Sequence, residues 1–158
     1  MRSMTALAVA LALTLGLMAG AGPVLAADSG GSKPAQESKA PELQTARDAI
    51  GRKDYTAAVP LLQAALDKTP KDADVWNLMG YAHRKLGMTD KALKYYQRAL
   101  AIDGDHRGAL EYLGELYLET GKPEEAKKML ARLDKICFFG CEEYTDLKNA
   151  LKAAKVIN

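Results

Sequence analysis

Residues 73–106 read ADVWNLMGYAHRKLGMTDKALKYYQRALAIDGDH, and this stretch decides the fold. Trp76, Met79, Gly80 and His83 fall at i, i+3, i+4 and i+7, which is one face of an α-helix rather than the alternation of a strand. Gly87 then breaks the pattern where a helix C-terminus favours glycine. Ala92, Tyr95, Tyr96, Ala99 and Leu100 mark the face of a second helix. Small residues at Gly80 and Ala92 let the two helices approach closely, and the larger side chains fill the space between them.

The unit recurs with a shift of 34 residues. Gly80 returns as Gly114 and Gly87 as Gly121, while Ala58, Ala92 and Ala126 form one column. Leu62, Tyr96 and Leu130 form a second column, and Ala65, Ala99 and Leu133 a third. A fixed period of this size means stacked supersecondary units. In the downstream copy, Leu110, Leu113, Gly114 and Tyr117 mark the first helix. Pro123 opens the second helix at a first-turn position that tolerates proline, followed by Ala126, Met129, Leu130 and Leu133. The upstream copy is weaker. Its first helix shows only Leu43, Ala46 and Ala49; its second shows Ala58, Leu62, Ala65 and Pro70, with a slight kink expected at Pro60.

The columns resemble those of the tetratricopeptide repeat, whose signature is W-x2-L-G-x2-Y followed by Ala, an aromatic, Ala and Pro. Residues 73–106 carry it through Trp76, Met79, Gly80, His83, Ala92, Tyr96 and Ala99, with Gly104 in place of the terminal proline. The resemblance implies an all-α fold, a right-handed α-solenoid of three helix-turn-helix repeats (39–72, 73–106 and 107–140). A C-terminal helix over 141–158 follows, lined by Tyr144, Leu147, Leu151 and Ala154. Its acids come early and its lysines late, as the helix dipole prefers, and it fits the solvating cap such arrays need.

Ahead of the array, Arg2 and the apolar run Met4–Met18 lead to Val24-Leu25-Ala26, the form of a cleavable secretory signal over 1–26. Export to a bacterial periplasm is the expectation, with no stable membrane span after cleavage. Residues 27–41 are rich in Gly, Ser, Pro and charge and read as a flexible linker.

The 22 Lys+Arg balance 20 Asp+Glu at a net charge of +2, which argues against a nucleic-acid partner bound on a basic face. Two His and two Cys are too few for a four-ligand Cys/His zinc cluster, and no nucleophile motif or phosphate-cradling loop is present. No catalytic residue, metal site or cofactor is expected. His83 reads as a packed structural residue and His106 as an exposed turn residue. Cys137 and Cys141 flank a short turn and read as a structural disulfide worth roughly 2 kcal/mol, with a redox-active pair as the alternative.

What the resemblance implies about function is a concave groove, lined by the first helix of each repeat, that takes a peptide or protein. Here its side chains are expected to be Arg47, Asn77, Tyr81, Arg84, Glu111, Tyr112, Glu115 and Glu119, joined near the cap by Thr145, Asp146 and Asn149. Arg47 and Arg84 toward one end and the glutamates toward the other would make a polarised trough. The carboxylate clamp of chaperone-tail binders is not expected, because its positions hold Leu43, Leu78, Gly108 and Tyr112. The reading is a non-catalytic exported scaffold. A periplasmic thiol-disulfide protein or an accessory of envelope or haem-protein assembly are the alternatives, and a second copy of the chain is an alternative occupant of the groove.

Overall fold

Glycines and polar caps cut the repeated pattern into seven helices among residues 41–158, the part of the chain that this computed structural model describes. They are α1 (Pro41–Gly51), α2 (Tyr55–Lys68), α3 (Ala73–Lys85), α4 (Thr89–Ile102), α5 (Arg107–Glu119), α6 (Pro123–Ile136) and α7 (Glu142–Ala153). No strand occurs among the described residues. The expected signal segment, 1–26, lies outside them, as does the expected linker up to residue 40; Pro41 already opens α1.

Each hairpin turns in the same way. After α3, the Gly87 N–H bonds the Arg84 carbonyl and the Met88 N–H bonds the His83 carbonyl, with Gly87 at φ 75°. After α5, Gly121 and Lys122 bond Leu118 and Tyr117 in the same pattern, with Gly121 at φ 72°. These are Schellman closures, which place one residue in the left-handed region. After α1 that residue is Lys53, at φ 62°, with Lys53 and Asp54 bonding Ile50 and Ala49. Asp54 and Asp72 then cap α2 and α3 by accepting from the Ala57 and Asp74 N–H groups.

The pairs α1–α2, α3–α4 and α5–α6 pack as hairpins, and successive pairs stack through α2 on α3 and α4 on α5. The periodic columns are the core: Ala58, Ala92 and Ala126, with Ala65, Ala99 and Leu133, are fully buried. So are Leu62 and Tyr96. A Cβ at Gly80 would meet the Tyr96 ring at 2.6 Å, and one at Gly114 would meet a Leu147 methyl carbon at 2.5 Å. Glycine at those two positions is what lets α4 and α7 seat. Helix α7 packs on α5 and α6 and buries Leu147 and Leu151 completely, each burial being worth about 1.5–3 kcal/mol. The described chain is therefore an all-α helical-repeat solenoid closed by α7.

Candidate functional site: a tyrosine row beside an acidic cleft

Helices α3 and α5 lie side by side, with α7 beyond α5. An aromatic row crosses this face: Tyr55 of α2 meets Tyr81 edge-on with ring centroids 6.0 Å apart, and Tyr81 meets Tyr112 at 4.9 Å. Tyr81 and Tyr112 are half-buried, each leaving part of its ring to solvent. Burial pushes the Tyr112 hydroxyl up to about 12, with the Glu111 carboxylate adding to the effect. The Tyr81 hydroxyl is also raised, mainly by burial and then by Tyr55.

The expected charge polarity is not what the fold builds. Arg84 does not stand apart from the glutamates; it binds two of them across the α3–α5 seam. Its Nη1 donates to Glu115 at 2.6 Å, while Nη2 and Nε donate to the two oxygens of Glu119 at 2.7 and 3.0 Å. The arginine side chain is only 6% exposed, so it is a fastener between helices rather than an open docking charge. Burial lowers its pKa, but the hydrogen bonds to Glu119 and Glu115 outweigh that and hold the guanidinium charged. The bond from Arg84 in turn keeps the Glu119 carboxyl below the usual range. Arg47 is likewise engaged, with Asp74 of α3 at 3.5 Å.

The unneutralised acid collects toward α7. There a cleft of about 270 Å³ opens between Arg47 on α1, Asn77 and Leu78 on α3, Glu111 and Tyr112 on α5, and Glu142, Glu143 and Asp146 on α7. Glu111 is buried, and among the described residues none donates a hydrogen bond to its carboxylate. Burial, followed by repulsion from Glu115, Asp146 and Glu143, raises its carboxyl to about 8 against a weaker pull from Arg84. Asn77 is buried beside it with Oδ1 unpartnered.

Of the eight groove residues named from the sequence, the structure gathers Asn77, Glu111, Tyr112 and Arg47 at the cleft. Arg84, Glu115 and Glu119 form the neighbouring fastener, and Tyr81 lies in the row. Thr145 and Asn149 are exposed on α7, and of the three cap residues only Asp146 reaches the cleft. Glu142, Glu143 and Tyr55 were not anticipated. One signal was available for the buried pair, since Asn77 and Glu111 share a column of the repeat.

The two histidines serve the scaffold. His83 is buried, with Nδ1 bonded to the Met79 carbonyl and its ring 4.8 Å from Tyr95. His106 is half-buried rather than exposed: its Nδ1 accepts from the Ala109 N–H as the cap of α5, which leaves Nε2–H to donate to Asp74 at 3.0 Å. Cys137 and Cys141 sit between α6 and α7 as a bonded pair with Cα atoms 5.6 Å apart, and the intervening Phe138 and Phe139 are fully in solvent.

Tetratricopeptide-repeat family models match residues 73–106 and 109–135. Among curated proteins, tetratricopeptide repeat protein 37 of Xenopus laevis is 35% identical over 82 residues, 52% of this chain but only 5% of that protein's length. Among solved structures, the Yersinia enterocolitica type III secretion chaperone SycD, in complex with a peptide of the translocator YopD, superposes with a TM-score of 0.63. The two share 19% identity, over 73% of this chain and 90% of that one. The first tetratricopeptide domain of Spaghetti (RPAP3), bound to an HSP90 peptide, gives 0.64 at 18% identity over 72% and 93%. Two tetratricopeptide-repeat models thus match the consecutive helix pairs α3–α4 and α5–α6, and the likeness to the solved structures is one of fold.

Proposed function

We propose that the chain is a non-catalytic protein-interaction scaffold whose α1–α3–α5–α7 face takes a polypeptide segment. The observation that carries this reading is the half-buried tyrosine row beside the cleft. Tyr81 and Tyr112 meet at 4.9 Å with their rings tilted 45° to each other, which presents rigid amphipathic contact area at little cost in side-chain entropy. The peptide-bound states of the SycD and RPAP3 domains support the same use of a similar fold. Export to the periplasm is part of the proposal, supported by the apolar run and cleavage-like residues before position 27. So is the role of the Cys137–Cys141 pair as a staple holding α7 to the array.

The test is a selection of random peptides on the full chain, followed by calorimetry on the variants. Tyr81→Ala and Tyr112→Ala should each weaken binding by more than about 1 kcal/mol. Lys94→Ala and Lys127→Ala, on the second helices of their hairpins, should leave it unchanged. Binding lost only with the lysine changes would place the contact on the other face.

A further inference from the structure

The acidic cleft carries more than a general groove does. We propose that it is a subsite for one basic side chain, an ammonium or guanidinium head group, projecting from the polypeptide that lies along the tyrosine row. This rests on the reading of that face as a polypeptide site.

Most polar side chains that line the cleft offer acceptors, and Arg47 is the one cation among them. Asn77 is 6% exposed with Oδ1 unpartnered, and Glu111 is 8% exposed with no described residue donating to its carboxylate. Asp146 and Glu143 face them from α7. A lysine ammonium is the complement, with three donors and no acceptor; a guanidinium offers five donors in a fork. Tyr112 on the wall adds an aromatic face that attracts a cation. A volume near 270 Å³ is below the usual range for small-molecule pockets and suits a single long side chain.

The neighbouring arginines are already paired, Arg107 with one of the cleft's own acids. Arg47 pairs with Asp74, Arg107 with Glu143 at 3.7 Å, and Arg84 with Glu115 and Glu119. Glu111 and Asp146 are thus left without an ion pair among the described residues. His, Cys, Asp and Glu side chains do not come together as a metal ion's ligands among the described residues.

The site also sets a pH dependence. Glu111 is faced by Arg47 from α1, Arg84 and Tyr81 from α3, Tyr112 and Glu115 on its own helix, and Glu142, Glu143 and Asp146 from α7. With its carboxyl raised to about 8, the empty cleft holds a neutral acid at pH 7. A cation selects the ionised form, so binding expels a proton. Apparent affinity should climb about tenfold per pH unit up to the carboxyl's own titration and level off above it.

The probe is n-butylammonium chloride, the head group and stem of lysine, added to the full chain with isotope-labelled glutamate and asparagine side chains followed by NMR. Sodium chloride at equal concentration and n-butanol are the controls. Expected is a saturable shift of the Glu111 carboxyl and Asn77 amide signals at about pH 8, with an affinity that weakens about fivefold one unit lower. It should be absent with both controls and in Glu111→Gln, whose fold is checked by circular dichroism. A response equal to that of sodium chloride, or unchanged in Glu111→Gln, overturns the subsite. In parallel, peptides selected on the full chain should be enriched in Lys or Arg at one position, and lose that enrichment when selected on Glu111→Gln. Peptides that bind through Tyr81 and Tyr112 without a preferred basic residue overturn the subsite and leave the groove reading standing. A chain that selects no peptide overturns the groove reading, while the butylammonium shift still decides the cleft.

Discussion

At the scale of single residues, two positions depart from the local optimum for different reasons. Lys53 occupies the left-handed turn position that glycine holds after α3 and α5. Left-handed backbone costs a side chain of this kind about 1–2 kcal/mol, and glycine's larger unfolded entropy returns part of that difference. Lys53→Gly should therefore raise stability by about 0.5–1 kcal/mol in urea denaturation. Glu111 is the other case. Between the ordinary glutamate value of 4.5 and its folded value of about 8, the folded chain keeps a proton that the unfolded chain has lost. Its contribution to stability is thus present below 4.5 and falls as pH rises through that window. Glu111→Gln should raise the midpoint of urea unfolding at pH 8 and have little effect at pH 4.5, the bounds of the window. A gain that grows toward low pH would contradict the assignment. Natural chains keep such costly groups chiefly where function uses them, which fits the cleft as a binding site.

At the scale of elements, helix seams depend on what the facing side chain can do. Alanine at Gly80 or Gly114 would gain up to about 1 kcal/mol of helix propensity. At Gly80 the added carbon meets the flat of the fully buried Tyr96 ring at 2.6 Å, which has no other rotamer available in a packed core. Gly80→Ala should cost a net 1–3 kcal/mol, roughly the penalty of overpacking. At Gly114 the obstacle is the branched end of Leu147, which can rotate, so Gly114→Ala should cost less than about 1 kcal/mol. Thermal melts of the two variants should keep that order. The α3–α5 seam has a polar fastener as well: Arg84 ties its helix to Glu115 and Glu119, and those contacts weaken as pH falls through the depressed Glu119 titration.

At the scale of the whole molecule, α7 is what completes the array. It covers α5 and α6 with Leu147 and Leu151 and supplies the acidic wall of the cleft, so cap and site are the same element. In the proposed reading, the Cys137–Cys141 pair staples α6 to that cap. An intact mass of the protein recovered from its native host addresses both processing and pairing. It should fit an N-terminus at Ala27 or Asp28 and be lighter by two hydrogens than the reduced chain. A mass that retains Met1 overturns export, and a fully reduced mass overturns the staple.

The helices and their pairing were legible in the sequence because a helix repeats every 3.6 residues, whatever its neighbours do. The period also marked which small residues, Gly80 and Gly114, must sit at seams, and the helical spacing of Tyr144, Leu147 and Leu151 marked the buried side of α7. The upstream copy was faint since its first helix shows only Leu43, Ala46 and Ala49, and Lys53 also stands where its partners have glycine. Charge was another matter. Arg84, Glu115 and Glu119 were visible as groove residues, yet their mutual pairing spans 31 and 35 positions and depends on how α3 leans on α5. The burial of Glu111 and the orphaned Asn77 Oδ1 depend in the same way on α7 closing over the face. Sequence period reports local backbone geometry and the apolar side of each helix, so it determined the solenoid. Distances between polar atoms on different helices, and the water each has lost, arise only from packing, so tertiary structure alone decided which charges are spent and where the acid is left open.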